Sequence, residues 1–172
     1  MREDYKRVMA RLHKFQLLHR LRIQQSMDGQ GLHYGQMPLM DYVEKHEGCT
    51  QREAAAATFV SEPAVATSVK RMQKAGLIVK TADSENLRRN RLALTKKGAD
   101  FLAALRRNYD ELDSRIFDSF TDSELETLCS MLDRMTSVIS GEEERGIEPG
   151  VIGRLAGKLI SMEKHSKQVG EE

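Results

Sequence analysis

The chemistry most plainly written in this chain is that of the guanidinium group. Arg88, Arg89 and Arg91 crowd the stretch SENLRRNRL, residues 84–92. A guanidinium is charged at any physiological pH and offers a planar fork of donors that matches phosphate oxygens in pairs. A polar loop holding three of them suits a polyphosphate. A solvated hairpin turn would have the same composition, so the flanking elements must decide between the two. No covalent chemistry competes. The sequence offers no nucleophile paired with a base, no glycine loop to cradle a phosphate and no metal motif. No enzymatic activity, metal or cofactor is therefore expected. Cys49 and Cys129 lack the spacing of a metal or redox pair. Cys49 precedes a helix start that would favour a thiolate, but an ordinary buried thiol is the expectation. His13, His19, His33 and His46 stand apart in sequence, and only His19 and His33 are candidates to converge.

The elements around the arginines follow from spacing. Apolar residues at Tyr5, Val8, Met9, Leu12, Phe15, Leu18 and Leu21 predict a long helix from about Asp4 to Met27 with one broad buried face. A second helix is expected from Gly35 to His46, with Pro38 in its first turn and Met37, Met40, Tyr42 and Val43 buried. Thr50 and Glu53 match a capping box and open a third. Ser61 then caps a helix running from Glu62 to Ala75, with Pro63 in its first turn and Gly76 as a left-handed stop. Two short helices meeting at a sharp turn make a helix-turn-helix. The period then changes: residues 77–82 and 91–95 alternate as two short strands, with the arginine stretch between them. A long helix resumes at Thr95, carrying Phe101, Leu105, Tyr109, Leu112, Ile116 and Phe120 along one side. Another opens at the Thr121–Glu124 capping box, carrying Leu125, Leu128, Leu132, Met135 and Ile139. Residues 140–150 read as an acidic linker, and 151–165 as a last amphipathic helix with Ile152, Leu155, Leu159 and Met162.

The fold class is thus mainly α with a small β-hairpin: a winged helix-turn-helix core flanked by long helices. At 172 residues, with 40% hydrophobic and 31% charged residues, the chain belongs among soluble globular proteins. Its longest apolar uncharged run, Ala54 to Val60, is too short to span a bilayer, and no signal core follows MREDYKR. A cytoplasmic protein without membrane contact is expected. The net charge of +1 conceals a strong segregation. Residues 70–97 are basic, opposed only by Asp83 and Glu85, whereas residues 122–144 are acidic with Arg134 as the exception. One face is adapted to an anion and another is kept from it.

Double-stranded DNA fits this arrangement. The second helix of a helix-turn-helix enters the major groove by its N-terminal half, and the basic loop then lies against flanking backbone or the minor groove. Val65, Val69 and Met72 form the inward stripe, so Ser61, Pro63, Ala64, Thr67, Ser68, Arg71 and Lys74 are the candidate contacts, joined by Arg88, Arg89 and Arg91. Small and hydroxylated side chains permit close approach, and Arg71 suits either phosphate or guanine. The rival is a winged helix whose basic face meets an acidic protein partner.

TQREAA, VSEPAVATSVKRMQKAGLI and LRRNRLALTKKG, in this order, resemble the MarR family of bacterial transcription regulators over residues 1–140. Ser61, Val65, Gly76-Leu77, Arg88, Leu94-Thr95 and Gly98 carry the likeness. It implies a homodimer, with residues 1–32 and 99–140 forming a helical dimerisation domain and residues 33–98 a winged helix. Residues 141–172 form a linker and C-terminal helix or tail beyond the family core. It further implies a pseudopalindromic operator, repression, and release by a small-molecule effector whose binding residues are unknown. A methionine-rich surface between helices, Met37 and Met40 included, is where such an effector would be sought. Leu87 replaces a basic residue usual in the family's wing, with Arg89 a candidate to stand in for it. Lys70 stands where an acidic residue often pairs with the wing arginine, and Ala66-Thr67 where the family often has Thr-Arg. Arg91 suits equally a phosphate contact and a solvated strand end.

Overall fold

A computed structural model describes residues 2–27, 33–82, 90–147, 152–153 and 155–156. Helix α1 spans Glu3–Ser26; a 3-10 turn, Tyr34–Gln36, leads into α2, Met37–Lys45. Helices α3, Gln51–Thr58, and α4, Glu62–Lys74, follow, then strands β1, Ile78–Ala82, and β2, Asn90–Leu94. The long α5, Lys96–Phe117, α6, Asp122–Ile139, and a 3-10 turn, Glu142–Glu144, complete the order. The elements expected over residues 4–139 are present, with ends moved by up to about three residues, as fraying and capping commonly allow. The second helix shows the largest change in kind: Tyr34–Gln36 tightens into a 3-10 turn before the α-helix starts at Met37.

Local chemistry sets the boundaries. Thr50 accepts from the Glu53 amide while the Glu53 carboxylate accepts from the Thr50 amide, 2.7 Å away, completing the capping box of α3. Thr121 and Glu124 repeat the device at α6. Ser61 holds the N-cap position of α4 without a side-chain cap bond; its backbone carbonyl accepts from Ala64 and Val65, opening the helical ladder. Gly76, at φ 73°, ends α4 in the left-handed region that favours glycine. The Leu77 amide donates to Met72 and the Gly76 amide to Gln73, the paired bonds of a Schellman stop.

The core gathers where α2, α3, α4, the hairpin and the first half of α5 meet. Met40, Val43, Ala54, Val65, Val69, Met72, Leu77, Leu92, Leu102 and Leu105 are buried there. Met40 is fully buried and Met37 half-buried against this core, so both serve the packing of α2. Strands β1 and β2 pair antiparallel, Ile78 with Leu94 through Ala82 with Asn90. Cys49 adds an isolated bridge to Leu92, so the α2–α3 turn lies along the hairpin as a third edge.

The expected burial of α1 takes a different form. Tyr5, Val8, Met9, Phe15, Leu18 and Leu21 are exposed, and it is Ile23 and Met27, near the helix end, that enter the core. Helix α6 has no buried residue, with Val138 and Ile139 82–84% exposed. The stripes are there, but a single chain does not cover them. Of the helix expected over 151–165, only residues 152–153 and 155–156 are described, and they are helical. Gly153 lies against Phe59 at the end of α3: a Cβ on Gly153 would come within 3.3 Å of that ring. Among the described residues, no helix is long and apolar enough to cross a membrane.

Candidate nucleic-acid interface

Helix α4 is fixed from below and open above. Its inward stripe, Val65, Val69 and Met72, is 0–1% exposed. Glu62, Pro63, Ala66, Thr67, Lys70, Arg71 and Lys74 are exposed on the other side, with Ala64 and Ser68 half-buried at the margin. The outward face therefore runs from small residues at the N-terminus to Lys70, Arg71 and Lys74 at the C-terminus. The hydroxyl of Thr67 donates to the Pro63 carbonyl at 2.9 Å, which leaves its oxygen as an acceptor toward any ligand.

The end of α4 is bound to the start of α5 through a dense joint. Thr95 donates its hydroxyl to the Gly76 carbonyl at 2.7 Å and its amide to the Leu77 carbonyl at 2.9 Å. The same hydroxyl oxygen accepts from the Gly98 amide at 2.9 Å, capping α5. The Lys97 ammonium donates to the Ala75 carbonyl at 2.8 Å, where the negative end of the α4 dipole lies. Gly98 closes the joint, since a Cβ there would meet the Leu77 oxygen at 2.0 Å. Gly76, Leu77, Thr95 and Gly98, four residues that carry the sequence resemblance, thus meet at one point. The joint fixes the start of α5 against the end of α4.

Arg91 is drawn back to the protein. It is half-buried and its Nη1 donates to the Gly48 carbonyl at 3.1 Å, so it is no solvated strand end. The Gly48 amide in turn donates to Leu92 and the Leu92 amide to Cys49, both at 2.8 Å. Arg91 therefore anchors the base of the hairpin to the α2–α3 turn, a role that its place in the loop sequence did not signal. Arg88 and Arg89, in the segment joining β1 to β2, lie outside the described residues.

Cys49 is buried, and burial, helped by the nearby Glu53 carboxylate, pushes its thiol up from the ordinary range. That is the opposite of what a reactive thiolate requires. His19 pairs with Asp113 at 3.0 Å between the rings of Phe15 and Tyr109. Among the described residues no group of three or more His, Cys, Asp or Glu side chains could hold a metal ion.

A sequence model of the MarR family matches residues 30–89, which hold α2, α3, α4 and β1. Over those residues the chain is similar to the MarR-family winged helix. Among curated proteins, the HTH-type transcriptional regulator BilQ of Clostridium symbiosum is 28% identical over 106 residues, 62% of this chain and 74% of that protein. The YusO protein of Bacillus subtilis superposes with a TM-score of 0.67 at 19% identity, covering 80% of this chain and 99% of YusO. A mutant of Staphylococcus aureus MepR, solved bound to an oligodeoxyribonucleotide, superposes with a TM-score of 0.59 at 20% identity, covering 77% and 98% of the two chains. The MarR family is one of DNA-binding transcription regulators, and the fold of this chain follows it beyond the winged helix into the long flanking helices.

Proposed function

We propose that this MarR-type protein is a homodimeric, sequence-specific DNA-binding repressor whose two recognition helices read a pseudopalindromic operator. Residues 33–98 act as the reading head, and residues 1–32 with 99–140 join the two copies. One observation carries the reading: apart from Glu62 in its first turn, the exposed side of α4 is small and hydroxylated at its N-terminal half and cationic at its C-terminal half, on a helix whose opposite face is buried. That is the order in which base edges and phosphates present themselves to a helix entering the major groove. Ser61, Pro63, Ala64, Thr67 and Ser68 face the bases and adjoining backbone; Arg71 and Lys74 reach phosphate or guanine. Arg88 and Arg89 belong to the same interface on the strength of their place between the two strands. Arg91 contributes chiefly by holding the hairpin.

The uncovered apolar faces of α1 and α6 support the dimer. Val8, Phe15, Leu18, Met131, Met135 and Val138 are too many and too large to leave in water on a monomer. A second copy of the same chain has the same stripes and covers them isologously. Release by a small-molecule effector that binds between the dimer and DNA-binding parts is the regulation the family resemblance supplies.

The test is duplex binding across a salt series, with sites selected by the protein from a randomised pool. Each neutralised phosphate contributes about 0.9 to the slope of log affinity on log salt. A steep slope and a two-fold symmetric selected site are the expected results. Absence of salt-sensitive binding to any duplex would overturn the reading and leave the basic face for an acidic protein partner.

A further inference from the structure

Helix α5 does more than leave the winged helix; it is gripped a second time. Its first grip is the Thr95–Gly98 joint. About two turns later Arg106 reaches back to α2, its Nη2 donating to the Asp41 carboxylate and, at 2.7 Å, to the Glu44 carboxylate. Asp41 and Glu44 stand three residues apart on one face of α2, so a single guanidinium spans both. Both acceptors hold the Arg106 charge firmly, and their combined charge exceeds that of the one cation between them. Without Arg106 the two carboxylates would repel each other, and the polar tie between α2 and α5 at this level would be lost, leaving Leu102 and Leu105 as the contacts there. Leu102 and Leu105, buried on the turn before, make the same face of α5 apolar up to this point. Beyond it lie Tyr109 and Leu112, half-buried, and then the end of the helix.

The geometry points to Arg106 as a positioning residue that sets the spacing between the two recognition helices, and hence the operator spacing that the dimer accepts. A helix held at one end can swing; a helix held at two points along its length has a fixed direction. The direction of α5 relative to α2 determines where each winged helix sits once the outer parts of α5, α1 and α6 are locked to a second copy. Helix α4 packs into the same core as Leu102 and Leu105 of α5 through Val65, Val69 and Met72, so a change in the direction of α5 relative to α2 carries to α4. The inference rests on the dimeric DNA-binding reading above.

Two measurements test it. A spin label is placed at the exposed Gln73 of α4, as Gln73→Cys in a Cys129→Ser background, with Cys49 protected by burial. The distance between the two labels is measured by electron–electron resonance, without DNA. Wild-type Arg106 is expected to give one narrow distance, and Arg106→Met a distribution spread to both sides of it with the dimer intact. Where Arg106→Met does not fold, Asp41→Ala with Glu44→Ala removes both acceptors of the same clamp and is expected to spread the distances equally. In the second measurement, duplexes with one to three base pairs added at the centre of the selected site compete with the parent. The preference for the parent is expected to collapse towards unity in the variant. A variant distribution as narrow as the wild type's, or an unchanged spacing preference, overturns the inference. No label-to-label distance in the wild type, or no duplex selected, means instead that the dimeric DNA-binding reading has failed and takes this inference with it.

Discussion

Among the described glycines, Gly98 has the least room for a side chain. Its ideal Cβ would stand 2.0 Å from the Leu77 oxygen and 2.9 Å from the Leu77 carbonyl carbon, both backbone atoms that no side-chain rotation can move. Gly98→Ala is therefore expected to force α5 away from the hairpin, at a cost of about 1–3 kcal/mol by analogy with overpacked cores, read by urea denaturation. A variant as stable as the parent would show that the joint yields. At Thr121 the exposed Glu124 carboxylate is held below the ordinary range by bonds from the Thr121 amide and hydroxyl. Its folded pKa is depressed, so the stabilisation is present above the unfolded value and lost as pH falls through the folded one. Carboxyl carbon NMR should find the Glu124 midpoint low and should see it rise in Thr121→Ala. Both capping boxes and the Gly98 position were legible in sequence. The bonds of Arg91 to Gly48 and of Arg106 to Asp41 and Glu44 were not, because each joins residues more than forty positions apart.

At the scale of elements, the end of α4 and the start of α5 form one unit through the carbonyls of Ala75, Gly76 and Leu77. Arg71→Ala leaves this unit intact, since Arg71 is an exposed member of the outward face. It should weaken duplex binding while preserving the melting transition, and should lower the salt slope by about one if Arg71 touches phosphate. Loss at a single base position with an unchanged slope would assign it to guanine instead. Thr95→Ala acts on the element itself: it removes the α5 cap and the hydroxyl's bond to Gly76, for a loss of stability of about 1–2 kcal/mol. The period switch from helix to strand and back placed these elements to within a few residues. The 3-10 turn at Tyr34–Gln36 escaped because a single tight turn leaves no periodicity to read.

For the whole molecule the decisive feature is the apolar surface that one chain leaves in water. Val138 and Ile139, 82–84% exposed, lie at the end of α6, and charging both is expected to cost the desolvation of two carboxylates wherever a second copy covers them. Val138→Asp with Ile139→Asp should therefore sediment as a monomer, with helical content near that of the parent. A variant dimer of unchanged stability would place the interface elsewhere.

Amphipathic period, capping boxes, the Gly76 stop and the change to alternating residues are local, covalently ordered signals, and by themselves they determined a winged helix-turn-helix between long helices. They also determined which side of α4 is buried, because a helix's stripe is written in its own spacing. The tertiary structure alone decided that the α1 stripe stays uncovered in a single chain, that Arg91 turns inward to the α2–α3 turn, and that Arg106 grips α2. Those outcomes depend on which distant segments arrive at the same place, and a charge or an apolar stripe in sequence specifies what it will bind without specifying which partner will be there.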